Sequence, residues 1–434
     1  YVSMMQSDLD GLRPDDVRVR LQTALSRNLK LVGHNLKYDF SVLQRHGIDI
    51  QGLHFDTLVA AYECFGDWDF WNLSAIAKKL LGASVKRYRD IVADDETFLD
   101  RPFKELVEHA CCDADTALRL YAVLTKELRK RGVEQHFFER PMDVERLLVM
   151  RERHGVRVNI GRMRAVGRAA KANAEALRAA AIAAAGYEFD VDSPKSTTAA
   201  LKKLGIWKKT SRPLSDSQME QFAGDFSLVA KIVRSRRERR RLKDIEAICD
   251  AAKKGRVYPL FSQCKSAYGS LSSFSPSLDE AFAAGAVLDK AIASLFTDVA
   301  ASLDILAEAS DDAVLRKDLG LRKGKDGFIP GLSLVGVGDN EQHEALLMTA
   351  IGEPDPVISR RFLIGRAEAV KLRSIITSRY QALFLWLQEF RRAALANGFA
   401  EYCGRRKYLA GLRGSDIDKR NRAARSAVRW VARC

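Results

Sequence analysis

The sequence has no CxxC pair among its seven cysteines, and two of them, Cys111 and Cys112, are adjacent, so neither a zinc framework nor a disulfide ladder is available to it. A reduced, cytoplasmic setting is the expectation. No run approaches the roughly 20 uncharged apolar residues of a membrane span, since the alanine-rich stretch 179–185 is short and flanked by Arg178. The opening YVSMMQSDLDGLRPDD lacks the features of a signal peptide. Internal repeats and low-complexity linkers are also missing, which excludes solenoids and beads on flexible strings.

Positive charge is what the sequence has in excess. A net charge of +15 over 434 residues implies an acidic partner, although such an excess serves nucleic acid, an anionic membrane surface or plain solubility. A chain of this length divides into two or three domains rather than one core. The N-terminal part alternates helical and strand signals: LRPDDVRVRLQTALSR is amphipathic, LKLVGHN is a short apolar run, and FSVLQRHGI is helical again. Further helices follow up to LTKELRKRG, whose basic residues and glycine read as a helix end and put a domain boundary near residue 133. Beyond it the pattern is mainly helical, with turns at DSPKS, SRPLSDS, CKSAYGSLSSFSPS and KGKDGFIPG.

Two stretches invite chemistry. In VGHNLKYDFSVLQRHGI, Asp39 follows a strand-like run, and in HACCDADTALRLY, His109 and Asp113 stand four apart on one helix face. Carboxylates from separate elements with a nearby proton acceptor are what a two-metal phosphodiesterase requires, though acidic residues on helices are more often caps or surface groups. In VAKIVRSRRERRRLKDIEAI, arginines surround a stripe of Val229, Ile232, Val233 and Leu242, which suits either a solvated face or one that meets phosphates.

These segments resemble the family A DNA polymerases of the bacterial DNA polymerase I type. VGHNLKYDFSVLQRHGI with FDTLVAAY is similar to the second motif of the proofreading 3′–5′ exonuclease domain, and HACCDADTALRLY to the third. On that resemblance Asp39 and Asp113 bind metal, Asn35 and Tyr38 touch the DNA 3′ end, and His109 stands where the family has tyrosine, either activating water or lying idle on its helix. The Asp-x-Glu of the first motif is expected upstream of Tyr1. ERPMDVERLLVMRERHGVRV resembles the approach to the polymerase module, FDVDSPKSTTAALKKLGI and the arginine helix its thumb, and GRVYPLFSQCKSAYGSLSSFSPSL its entry to the palm. Arg237, Arg240, Lys243, Gln263, Ser266, Ser272 and Ser273 are then candidate DNA contacts, joined by Arg405, Arg406, Arg422, Arg425 and Arg429 from NGFAEYCGRRKYLAGL and DKRNRAARSAVRW.

The resemblance also has departures. Ser270 stands for an arginine, Asp279 and Glu280 for Gln-Asn, Asp298 lacks its Ser-Gln-Ile-Glu core, and DGFIPGLSLVGVGDNEQHEALL does not supply the nucleotide-binding helix. The second palm carboxylate is expected beyond Cys434, making the chain a piece cut short at both ends.

The fold expected is an α/β, ribonuclease H-like exonuclease domain over 1–134, then a mainly helical α+β polymerase module over 135–434. Its thumb would lie at about 190–255, with parts of palm and fingers at about 256–434. The function expected is a proofreading DNA polymerase in replication or repair. It would work as a monomer on primer-template or single-stranded DNA, with deoxynucleoside triphosphates and a two-metal Mg²⁺ or Mn²⁺ site, and without a membrane. The alternatives are an exonuclease whose polymerase module survives as a DNA clamp, and a DNA-binding protein with neither activity.

Overall fold

The computed structural model describes residues 14–432 apart from 28, 49, 51, 67, 69, 93–99, 209–211, 266–270, 294–298, 321–331, 333–334, 338–340 and 404. In chain order the first elements are α1 (Pro14–Leu25), β1 (Leu31–Gly33), α2 (Leu36–Arg45), β2 (Leu53–Asp56), α3 (Thr57–Phe65), α4 (Leu73–Leu81), α5 (Phe103–Arg131), α6 (Glu134–Glu139) and α7 (Pro141–His154). Next come β3 (Val156–Arg157), α8 (Ile160–Ala185), α9 (Pro194–Lys203), α10 (Asp216–Met219), α11 (Ser227–Ala251), β4 (Arg256–Val257), β5 (Leu260–Ser262) and β6 (Ser272–Phe274). The helices α12 (Asp279–Ala283), α13 (Lys290–Ala293), α14 (Val299–Ser310), α15 (Ala313–Gly320), α16 (Gln342–Ile351), α17 (Asp355–Phe362), α18 (Arg366–Arg379) and α19 (Gln381–Asn397) follow. A hairpin of β7 (Phe399–Tyr402) and β8 (Arg405–Tyr408) precedes α20 (Ile417–Val431). Among the described residues no helix is long and apolar enough to cross a membrane.

Two compact units result. The first comprises Tyr1–His154, Phe261–Ser272 and Asn397–Ala423; the second comprises Gly155–Leu260, Ser273–Ala396 and Ala424–Cys434. In the first, β1 and β2 pair in parallel, with Val32 opposite Phe55 and Gly33 opposite Asp56. A parallel pair needs a crossover, and α2 supplies it. Gly52, at φ +100°, lets the chain enter β2: a Cβ there would lie 2.1 Å from the Leu29 carbonyl oxygen. Phe55 packs edge-on against Tyr121 of α5 and at 4.9 Å from Phe137 of α6. Because Phe137, Met142 and Val149 complete this core, the first unit runs past the boundary expected near residue 134 and takes in α7.

Charged groups buried beneath α2 and α7 tie later chain to this unit. The Lys37 ammonium meets Glu152 at 2.7 Å, and the same carboxylate oxygen accepts the Phe261 amide at 2.7 Å. Glu145, 3% exposed, accepts the Gln263 amide at 2.7 Å. Burial, reinforced by the Asp56 charge, lifts the Glu145 carboxyl from 4.5 to about 7. The folded state therefore holds a proton that the unfolded chain releases between those values, and stability falls as pH rises through that window. Glu145→Gln, which is always neutral, is expected to raise stability by about 1–3 kcal/mol at pH 8 and to change it little at pH 5, as read from urea unfolding. Equal effects at both pH values would rule this out.

The second unit is built on α8 and α11. Small residues on α8, Gly167, Ala170, Ala174 and Ala181, allow close approach, and Ser235 Oγ donates to the Ala174 carbonyl at 3.0 Å. Gly167 faces Ile245, whose methyl group would lie 3.2 Å from a Cβ there. Asn159 caps the start of α8 and Gly186, at φ 76°, its end. The segment between α8 and α11 adds apolar residues to this core, among them Val191, Leu214 and Met219.

Candidate 3′-end site and arginine face

The turn from β1 into α2 is set by Asp56. Its fully buried carboxylate accepts the amides of Asn35 at 3.0 Å, Leu36 at 2.7 Å and Leu58 at 2.8 Å, so it starts α2 and caps α3 at once. Asn35 is held in the left-handed region at φ 57°, ψ 45°, which asparagine tolerates better than most residues. Tyr38 projects into solvent, 66% exposed, and Asp39 lies beside it in the first turn of α2.

On α5, His109 Nε2 lies 3.7 Å from Asp113 Oδ2. Asp39 and Asp113, from different helices, are near enough for their charges to interact. Asp39 is pushed from 3.8 to about 6, first by surrounding protein atoms and then by Asp56 and Asp113, although its side chain still reaches solvent. Desolvation also raises Asp113, against the opposing charges of His109 and His34. His34, half-buried, lies 3.0 Å from Thr57 Oγ1 through Nδ1 and 3.0 Å from the Trp71 carbonyl through Nε2; burial lowers its affinity for a proton. A carbonyl only accepts, so Nε2 carries the hydrogen and Nδ1 faces the Thr57 hydroxyl.

In kind, these oxygen donors suit a hard divalent cation, and a bound cation would favour their ionised forms against the desolvation that raises their proton affinity. In number they fall short: among the described residues no group of three or more His, Cys, Asp or Glu side chains is arranged to hold a metal ion. The sequence reading brought out Asp39, His109 and Asp113 and allowed Asp56 as a helix cap, which it is, but missed His34 and Lys37. Asp56 was legible only as a residue in front of a helix, and His34 only as the neighbour of Asn35.

The expected DNA contacts are more dispersed. Arg237 donates to Glu220 at 2.9 Å, to the Arg361 carbonyl at 2.8 Å and to the Arg360 carbonyl at 3.2 Å. Arg240 pairs with Asp216 at 3.3 Å yet keeps more than half its surface exposed, while Lys243 is exposed. Arg236, amid the arginine run, is buried and bonds to the Val191 carbonyl, Asp216 and Thr197, which a solvated-face or phosphate-face reading alike overlooks. Glu280, which departs from the amide side chain of the family pattern, pairs with Arg241 at 2.8 Å.

Gln263 donates both to Glu145 and to the Pro141 carbonyl, so its amide hydrogens are engaged inside the first unit. Ser273 turns inward and accepts the Leu278 amide at 2.8 Å, whereas Ser272 is half-buried on β6. Ser266, Gly269, Ser270 and Asp298 lie outside the described residues. Arg405 opens β8, with its side chain outside the description; Arg406 pairs with Glu401 at 2.8 Å. In the second unit, Arg425 is half-buried near Arg391, and Arg429 pairs with the buried Glu353.

The carboxylate pair belongs to the α/β unit, while the second unit is built on the two long helices α8 and α11. The sequence profile of a 3′–5′ exonuclease family matches residues 13–129. In sequence the chain is similar to several bacterial DNA polymerase I proteins. It is 26% identical to DNA polymerase I of Pseudomonas aeruginosa over 99% of its own length and 51% of that protein. With DNA polymerase I of Borreliella burgdorferi it shares 25% identity over 58% of its length and 28% of that protein. The chain thus spans about half, or less, of these relatives. In fold it is similar to the POL domain of Pol1 from M. smegmatis, solved in complex with DNA primer-template and dNTP, with a TM-score of 0.67 and 19% identity over 97% of this chain and 76% of that one.

Proposed function

We propose that this chain is the DNA-handling part of a family A polymerase-type protein that shortens DNA 3′ ends at Asp39 and Asp113 and holds primer-template DNA with its second unit, as a monomer in the cytoplasm. The observation that carries this reading is the approach of Asp39 on α2 to Asp113 on α5, close enough for the Asp113 charge to raise the proton affinity of Asp39. Asp39 and Asp113 would hold Mg²⁺ or Mn²⁺. The bound ion would supply positive charge to the phosphoryl oxygens and acidify water. Tyr38 and Asn35 would orient the strand end, and His109, whose Nε2 faces Asp113, would take or hold a proton.

A second reading, shortening without extension, is favoured by α16. Its sequence QHEALLMTAI has no lysine or arginine to neutralise a triphosphate, and its Glu344 is taken up by Arg361. A 5′-labelled primer on a longer template, incubated with Mg²⁺ and four deoxynucleotides and resolved on a denaturing gel, separates the readings. Lengthened primers support a polymerase. Primers that are only shortened, and no longer so in Asp39→Ala, support the second reading, and an unchanged primer leaves DNA binding alone.

A further inference from the structure

Within the second unit, the corner between α17 and α18 closes against the arginine helix. Leu363 is a branched residue at φ 54°, ψ 42°, a conformation unfavourable for its side chain, yet it is 6% exposed and packs into the same core as Met219, Ala223, Leu228 and Val229. Gly224 lies so near that a Cβ there would stand 2.0 Å from the Ile364 carbonyl oxygen. The carbonyls ending α17 are orphan acceptors of a helix C-terminus, and α11 answers them: Arg234 donates to Phe362 O at 3.3 Å, and Arg237 to Arg361 O at 2.8 Å and Arg360 O at 3.2 Å. Ser359 Oγ donates to Ile364 O at 2.6 Å and fixes the corner itself.

Beside this contact lies a cleft of about 1110 Å³, lined among others by Arg234, Arg237, Arg240, Arg241, Glu344 and Arg361. The four α11 arginines that face it all have protein partners: backbone carbonyls for Arg234, Glu220 and carbonyls for Arg237, Asp216 for Arg240 and Glu280 for Arg241.

We propose that residues 359–365 form an intramolecular latch that occupies Arg234 and Arg237 on the arginine face of α11 beside this cleft, so that duplex DNA gains that face only when the latch lets go. The proposal rests on the reading of the second unit as a DNA-binding module. A latched state lowers apparent affinity by the fraction of molecules that are open, and a variant that cannot latch escapes that reduction. It also explains why the strained conformation at Leu363 is kept: the corner presents its apolar side chain and its carbonyls to one docking partner together.

Gly224→Leu is the direct test. The φ of Gly224 lies outside the left-handed region, so a leucine there interferes with the approach of the Ile364–Gly365 backbone rather than with the conformation of residue 224 itself. With a fluorescein-labelled primer-template duplex, G224L is expected to bind roughly tenfold more tightly than the unaltered chain by fluorescence anisotropy. If the unaltered chain binds and G224L binds equally or more weakly, the latch is refuted while the DNA reading stands. If neither binds, the DNA reading falls and the latch falls with it. Hydrogen exchange of the unaltered chain gives a second test that needs no variant: the Leu363 and Ile364 amides, both bonded to Ser359 O, are expected to lose protection when duplex is added. Bound duplex with their protection unchanged would overturn the proposal.

Discussion

On the proposed function, Asp113→Ala and Asp39→Ala are each expected to slow the shortening of a labelled 3′ end by about 10²–10³-fold, with the fold intact. The magnitude follows from the several kcal/mol by which a positioned cation stabilises a phosphoryl transition state, lost when one of its two side-chain holders is removed. The intact fold follows from the electrostatics: both carboxylates sit in surroundings that raise their proton affinity, first by desolvation, so removing either removes a charge that its surroundings disfavour. Thermal melting in the presence of a chelator is therefore expected to be unchanged or slightly raised in Asp39→Ala. Retention of full shortening by either variant would move the site elsewhere. His109→Ala reports separately on the proton acceptor, because the removed group contacts Asp113 at 3.7 Å and leaves both carboxylates in place. A loss near the 10²–10⁴-fold range of general base catalysis would assign it that role.

Asp56→Ala is expected to do the reverse, acting on stability first. The Asp56 carboxylate satisfies three backbone amides in a fully buried position, and alanine would leave Asn35, Leu36 and Leu58 without that acceptor. At about 1–3 kcal/mol for each buried donor left unmade, with partial relaxation, the loss is about 3–5 kcal/mol. It would be read as a lower denaturation midpoint for the cooperative unit containing Phe55 and Tyr121. Activity would fall as well, since the turn that aims Asn35 and Asp39 depends on those bonds. A variant with unchanged midpoint would mean that the turn is held by the packing of α2 on α7 rather than by this carboxylate. Asp56→Asn discriminates further, because its amide keeps one acceptor oxygen but sets an N–H group toward the Asn35 or Leu36 amide.

The local sequence determined much of this. The alternation of apolar and polar residues specified α2, α5 and α11, the RKRG ending closed α5, and the spacing of His109 and Asp113 put them on one helix face, because these depend on residues close in the chain. The Asn-x-x-x-Asp segment after an apolar run likewise fixed Asn35 and Asp39 at the start of one helix. What the local pattern could not decide was partnership over distance. Nothing near Lys37 announces Glu152, and nothing in CKSAYGS announces that Gln263 gives its amide to Glu145. The seven cations of the arginine run looked alike in sequence, yet Arg236 is buried, Arg237 caps the end of α17, and Lys243 faces solvent. Periodicity assigns a residue to a face of its own helix, but the tertiary structure alone decides what that face meets, because carboxylates and carbonyls brought from 100 or more residues away set whether a cation is spent inside the protein or left for phosphate.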